Sequence, residues 1–550
     1  MSEAISHTEP NRFSPTSNEC SRRSFALENV DLSRLATSLL WLLLPLTLVL
    51  AVTRQSLWTD EGFTIWFASH NSASSFFSTL VGSRGAAGDS QILFYLVYMW
   101  AWVKVFGASE VALRAANIPF AIVFISAMAW ASRRLLHLPS LWALFCLSPF
   151  FWFYLNEARP YVALLAFSGV ATVALLAYLI RPTEYRANAP WICLTALLFA
   201  WGTHITAAFL FPSFLVLVAA RSLTETYVIH NFIKDWLKPS LLCSPAFIAL
   251  GVFYVQTSEY GINRYGKSGL TSLSYVLYEF AGFQGLGPPR NDIRTTPNLS
   301  IFLPYWPFLF AGVLVCLGLG RLLVRTRPDK IVLSLLVCLV VGVLIAVNVS
   351  MIEDFQILGR HMAAFFPLAL ITLMLWLRPR FVARNTRSAS IVVLTMLGLV
   401  WAISDARLVF LNKYEKDSYR DACAIALAKV RSDHGKILWA ADPHTAYYYG
   451  IQVISAQRIM RIPNQDGSVH YPAVDARNWN PREAKAYLDA SDRPIILVLG
   501  KPDAFDAKDA WPLLIHERNS KELAHLAAFE IYEWPAPTTT SQTTRAAPDI

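Results

Sequence analysis

Stretches of about 16–22 residues without Asp, Glu, Lys or Arg recur along this chain, and nothing constrains its fold more. A helix needs about 20 apolar residues to cross the hydrocarbon core of a bilayer. Spans are predicted near 35–53, 111–131, 139–155, 161–180, 189–203, 205–220, 239–256, 301–320, 331–350, 362–377 and 389–406. Arg114 and Asp405, each near the end of a span, are the charged exceptions. Composition agrees: 55% of the 550 residues are hydrophobic and 15% charged, against about 25% charged in soluble domains. Eighteen Trp fit a chain that meets the membrane–water interface many times. The reading excludes a disordered chain and a purely soluble enzyme, and leaves room for one modest soluble domain.

The segment Gln91–Phe106 is apolar but short and carries Lys104. Positive charge decides its place. If it lies in the interface and the other eleven spans cross from an inside start, the inside loops hold 19 Lys and Arg in 88 residues. The outside segments before the tail then hold about 10 in roughly 117 residues, as the positive-inside rule requires. Residues 91–106 are therefore expected to form an amphipathic juxtamembrane helix. The net charge of +9 reports topology rather than nucleic-acid binding.

Four regions follow: a polar cytoplasmic tail 1–34, a membrane domain 35–406, an α/β domain 407–534 on the far side, and a disordered end 535–550. Within the α/β domain, helices are predicted at 418–432 and Pro481–Ala490, and strands at Lys436–Ala441, Pro494–Gly500 and Phe529–Glu533. The seven cysteines make no disulfide framework or zinc pattern. No phosphate-binding glycine loop is present, so ATP-driven chemistry has no support.

The informative charges fall in the outer loops. Asp60 and Glu61 follow the first span, with Trp58, Phe63, Trp66 and Phe67 placed to line the membrane side of a helix. A solvated acidic helix start is the plainer account. Asp89 precedes the juxtamembrane helix, and Glu110 and Arg114 stand at ion-pair spacing. Glu157 and Arg159 sit in a very short turn before Tyr161, where two charges point to binding. His204 lies between two spans, where a lone histidine is more often structural. The long loop 257–300 holds Tyr260, Arg264, Tyr265, Lys267, Arg290 and Arg294, which suit an anionic head group or a plain solvated loop. Arg360 and His361 stand at the outer end of the tenth span. A carboxylate can take the proton of an acceptor hydroxyl, and arginines can hold a departing phosphate.

These residues carry a resemblance. Trp58-Thr59-Asp60-Glu61, Leu93-Phe94-Tyr95 through Phe106-Gly107 to Ser109-Glu110-Val111-Ala112-Leu113-Arg114, Asn156 to Tyr161, His204-Ile205-Thr206 and Arg360-His361 occur in order. In this the chain resembles polytopic GT-C glycosyltransferases of the protein O-mannosyltransferase and aminoarabinose–lipid A transferase type (glycosyltransferase family 39). The resemblance covers most of residues 35–405 and implies a GT-C fold of about eleven membrane helices in a bacterial inner membrane. It implies a polyprenyl-phosphate sugar donor and a lipid, glycan or protein acceptor outside the cytoplasm. By transfer, Asp60 is the general base or a divalent-metal ligand, with Glu61 supporting it. Arg159 and Arg360 contact the phosphate, and Asp89 and Glu157 orient sugar or acceptor. Arg114, Tyr161, His204, Arg264 and His361 complete the expected substrate site. The family's His-Pro-Pro or Asn-Pro-Pro is replaced by Asp89-Ser90-Gln91-Ile92. A transporter or sugar-lipid flippase is the competing reading. It predicts ionisable groups at mid-membrane and inverted repeats, whereas the charges here stand at span ends.

Overall fold

The computed structural model describes residues 55–82, 91–138, 146–223, 227–258, 269–295, 298–382, 384–455, 470–506, 508–518 and 520–535, with Val52, Trp142 and the two-residue strand Arg458–Ile459. The predicted span 35–53 apart from Val52, the predicted tail 1–34, residues 536–550, Asp89 and Arg264 lie outside them.

Eight described helices are long and apolar enough to cross a membrane: Glu110–Arg134, Tyr161–Ile180, Ile205–Ser222, His230–Thr257, Leu299–Val324, Lys330–Ile352, Gly359–Arg380 and Thr386–Phe410. Each overlaps a predicted span. The predicted span 189–203 is a shorter apolar helix, Ala189–Thr203. In 139–155 the described part contains the helix Pro149–Leu155. Tyr161–Ile180 is apolar all round and 83% buried, which makes it the centre of the bundle. It packs on Ile118–Arg134, where Phe124 and Met128 close over Gly169. The last membrane helix continues to Phe410, past the predicted end at 406.

Residues 93–106 form one helix of 14 residues. At 1.5 Å per residue it spans about 21 Å, too short to cross. Its Tyr95, Leu96, Met99 and Val103 are buried in a small cluster with Ile65, Phe67 and Ala68 of the acidic helix Thr59–Ala68.

The C-terminal domain is a seven-stranded sheet in the order β3-β2-β4-β1-β5-β7-β6. Its centre is parallel: β2 (Ile451–Ser455), β4 (Tyr471–Asp475), β1 (Lys436–Ala440) and β5 (Ile495–Gly500). Flanking strands β3 (Arg458–Ile459), β7 (Phe529–Trp534) and β6 (Lys521–Leu526) run antiparallel to their neighbours. All six residues of β5 are buried, as a strand covered on both faces demands. One face packs Ile437, Trp439, Ile496 and Val498 under the helix Tyr419–Asp433. The other packs Leu438, Leu497 and Trp511 with Pro481–Asp489 and Ala510–Glu517.

This domain docks on the acidic helix, which corrects one expectation. Phe63 and Trp66 face the domain rather than lipid: the His444 ring lies 4.2 Å from Phe63 and 5.0 Å from Trp66, centroid to centroid. Phe67 and Trp58 are buried, at 1% and 6% exposure. The contact needs Gly62. A Cβ there would stand 1.9 Å from Thr445 Oγ1 and 2.9 Å from Thr445 N. Thr445 cannot turn aside, because its Oγ1 (2.6 Å) and N (2.7 Å) both donate to Asp442 Oδ2. Gly62→Ala is therefore expected to cost about 1–3 kcal/mol by overpacking. Thermal unfolding and limited proteolysis of the purified protein should show a lower Tm and a C-terminal domain cut faster.

Candidate active site

The acidic helix carries the centre of the site. Its first turn is pinned from two sides. Glu61 is fully buried and both its oxygens are used: Oε1 accepts from Arg114 Nε (3.2 Å) and Ala158 N (2.7 Å), Oε2 from Arg114 Nη2 (3.0 Å) and Trp58 N (3.1 Å). Arg114 also donates to the carbonyls of Gln55 (2.6 Å) and Ser56 (3.0 Å). The expected local pairing of Arg114 with Glu110 gives way to this longer-range pair. Glu110 instead accepts from Arg420 and from the Tyr449 hydroxyl. Buried as deeply as it is, the Glu61–Arg114 pair is a fastening for the loop before Asp60.

Asp60 is placed differently. Its side chain is 28% exposed, and Oδ2 accepts from Arg360 Nη1 at 3.0 Å. Arg159 Nη1 donates to the Asp60 carbonyl (3.0 Å) and to Thr64 Oγ1 (3.1 Å). Burial alone would raise the Asp60 carboxyl. Arg360, Arg159, Lys501 and Arg290 outweigh it and hold the group below its ordinary value. It is therefore an anion at neutral pH.

Trp58 stands beside it, ringed by cations. Lys501 Nζ lies 5.5 Å, Lys416 Nζ 5.7 Å and Arg360 Cζ 5.8 Å from its ring centroid. These are cation–π distances. Each cation has a carboxylate partner: Arg360 has Asp60, Lys416 has Glu157, and Lys501 has Asp417 at 2.5 Å. Burial pushes Glu157 up and Lys416 down, so the two depend on each other for their charges. Arg290 stands among Tyr275, Glu279, Tyr154 and Glu157. With Lys416, Tyr275, Phe153 and Gln284 it lines a narrow cleft.

Asp60, Arg159 and Arg360 come together although Asp60 and Arg360 are 300 positions apart. Tyr161 has Arg360, Arg159 and Asp60 among its electrostatic neighbours. His204 lies 5.9 Å from the Tyr161 ring and 6.3 Å from the His361 ring. Both histidines spend Nδ1 on local backbone, His204 on Thr206 N and His361 on Leu358 N. Sequence reasoning passed over Lys416 and Lys501 and left Arg290 in an unspecific loop. Nothing in the sequence around the two lysines marks them, because their role comes from tertiary docking.

A metal at Asp60 does not fit what surrounds it. The nearest charges are guanidinium and ammonium groups, and among the described residues no three His, Cys, Asp or Glu side chains gather as ligands.

Fold and site together define an integral membrane protein whose sheet domain closes over a cationic cluster, with an open carboxylate, at the end of its membrane helices. Seven solved chains are similar in structure. Two are crystal structures of ArnT from Cupriavidus metallidurans, in the apo state (TM-score 0.49) and bound to undecaprenyl phosphate (TM-score 0.48). Each is 12% identical, with 90% of this chain and 97% of that chain covered. Another is a single-particle cryo-EM structure of the arabinofuranosyltransferase AftD from Mycobacteria: TM-score 0.42, 14% identity, 91% of this chain and 40% of that chain. No family model and no curated protein matches the sequence.

Proposed function

We propose that this chain is a GT-C-type membrane glycosyltransferase. It moves a sugar from a polyprenyl-phosphate donor to a lipid, glycan or protein acceptor on the extracytoplasmic side, with its N-terminus in the cytoplasm. One observation carries the reading: the partly open Asp60 carboxylate stands among arginines and lysines, the groups that a departing phosphate would need. In the reaction the acceptor hydroxyl attacks the anomeric carbon. Its proton passes to Asp60, the bond from that carbon to the phosphate oxygen breaks, and polyprenyl phosphate leaves with the electron pair. Arg159 and Arg360 hold the charge that develops on it. A single displacement inverts the anomeric carbon.

The ion pair has a consequence for the base. While Arg360 is paired with Asp60, the carboxylate is a weak base. A donor phosphate drawing on Arg360 offsets that positive charge, and Asp60 becomes more basic only when the donor is in place. Arg360 Nε, buried and without a partner among the described residues, is a further donor for the phosphate.

Charged hydrogen bonds are worth about 1.5–3 kcal/mol, so Arg360→Met is expected to weaken undecaprenyl phosphate binding roughly 10- to 100-fold. Titration of the purified protein with that lipid measures it. Wild-type affinity in the variant would remove Arg360 from the phosphate site. A panel of polyprenyl-phosphate sugars then tests transfer itself, and lipid translocation in vesicles without transfer would favour a flippase.

A further inference from the structure

In open parallel sheets, ligands are met just beyond the carboxyl ends of the strands. Here that edge of the C-terminal sheet is turned onto the acidic helix. Beyond β1, Asp442 holds Thr445 against Gly62, and His444 covers Phe63. Beyond β5 comes Lys501. Its backbone is left-handed (φ +44°), a conformation that a non-glycine residue keeps only when its surroundings enforce it. Its Nζ donates to Asp417 Oδ2 (2.5 Å) and Thr59 Oγ1 (3.3 Å) and lies 5.5 Å from the Trp58 ring centroid. Asp417, 1% exposed, accepts from Thr59 N and Thr59 Oγ1, both at 3.2 Å. The Tyr419 hydroxyl joins the same knot, 3.1 Å from Thr59 Oγ1 and 3.2 Å from Asp442 N.

We propose that Lys501 is a positioning residue for the transfer reaction, so that the sheet domain completes the active site rather than merely lying beside it. Lys501 fixes Asp417 and the Trp58–Thr59 turn, which sets the place of Asp60, and it adds positive charge next to that carboxylate. The inference rests on the reading of Asp60 as the base. Other groups also face Asp60: Arg360 from the turn Gly359–Phe365, Arg159 from the turn 156–160, Arg290 from the helix Arg290–Thr295, and Tyr161 from the first turn of its helix. Glu61, on the same helix as Asp60, is held by Arg114. Lys501 is among the cations that lower the Asp60 carboxyl. Without it the anion is less favoured, and the base is lost at a higher pH on acidification.

The test uses full-length protein in liposomes. Turnover of synthetic undecaprenyl-phosphate hexoses and pentoses, followed by release of undecaprenyl phosphate, is measured across pH. Lys501→Met is expected to lower kcat at least about tenfold, with a much smaller change in donor KM. The acid limb of its kcat/KM profile should move to higher pH, and Lys501→Arg should restore both kcat and limb. Lys501→Met with Asp417→Asn removes the buried charge left behind, so it separates folding from function: its Tm should recover while its kcat stays low, with the acid limb back near the wild-type position because the ion pair is removed as a whole. An acid limb at its wild-type position in Lys501→Met, or a double variant whose kcat recovers with its Tm, would overturn the proposal and leave Lys501 a structural strut. A wild-type chain that turns over no donor in the panel would instead overturn the glycosyltransferase reading.

Discussion

Asp60→Asn is expected to lower transfer about a hundredfold to ten-thousandfold, the range that a positioned general base contributes. The substitution keeps the size and shape of the side chain and removes its charge and its capacity to accept a proton. Arg360, which donates to Asp60 Oδ2 at 3.0 Å, loses its carboxylate and is left with the donor phosphate. Undecaprenyl phosphate should therefore bind the variant at least as well as the wild type. This combination separates a base from a binding residue, since loss of a binding residue would weaken both. The pH dependence follows in sign. The Asp60 carboxyl is held below its ordinary value by neighbouring cations, so activity is fully present at neutral pH and is lost as pH falls through that lowered value. Initial rates and lipid titrations on the two proteins decide the matter. Full transfer by the asparagine variant would end the assignment of Asp60.

Glu61 and Arg114 should respond in a different way, although Glu61 is the next residue. Their side chains are 0% and 2% exposed, and every oxygen of Glu61 is engaged. Removing one member of such a pair leaves an uncompensated buried charge, at a cost of about 3–5 kcal/mol. Glu61→Gln and Arg114→Met are each expected to lower the Tm sharply, and any surviving activity should track the folded fraction. The double variant should lose less than the sum of the two, because no unpaired charge remains. Thermal unfolding of the four proteins gives the coupling directly. Strict additivity would show that the pair does not hold the loop.

These two neighbours illustrate how much of the site can be read without coordinates. Hydropathy located the membrane helices because a span must satisfy its backbone internally and present an unbroken apolar run. Asp60, Arg159 and Arg360 stood out as charges at span ends, where charge needs a reason. The split between Asp60 and Glu61 was not legible, because it depends on Arg114 and Ala158 arriving at one face of the acidic helix. Trp66 was read as facing lipid because nothing local announces His444, 378 positions away. Lys416 and Lys501 belong to a domain that reads as an ordinary α/β unit. Their importance exists only once that unit is docked.

The wide spread of the site along the chain also orders its birth. Bundles of this kind are synthesised from the N-terminus at roughly 5–20 residues per second. Glu61 and Arg114 are 53 positions apart and can meet within the first part of synthesis. The cations around Asp60 emerge one after another, at 159, 290, 360, 416 and finally 501. Between the first of the site's residues and the last lie 441 positions, on the order of 20–90 s of translation. The fastening of the acidic helix thus precedes the reactive centre, which stays incomplete until Lys501 has emerged. A ribosome that stops early leaves an inserted bundle in the membrane but not a competent enzyme.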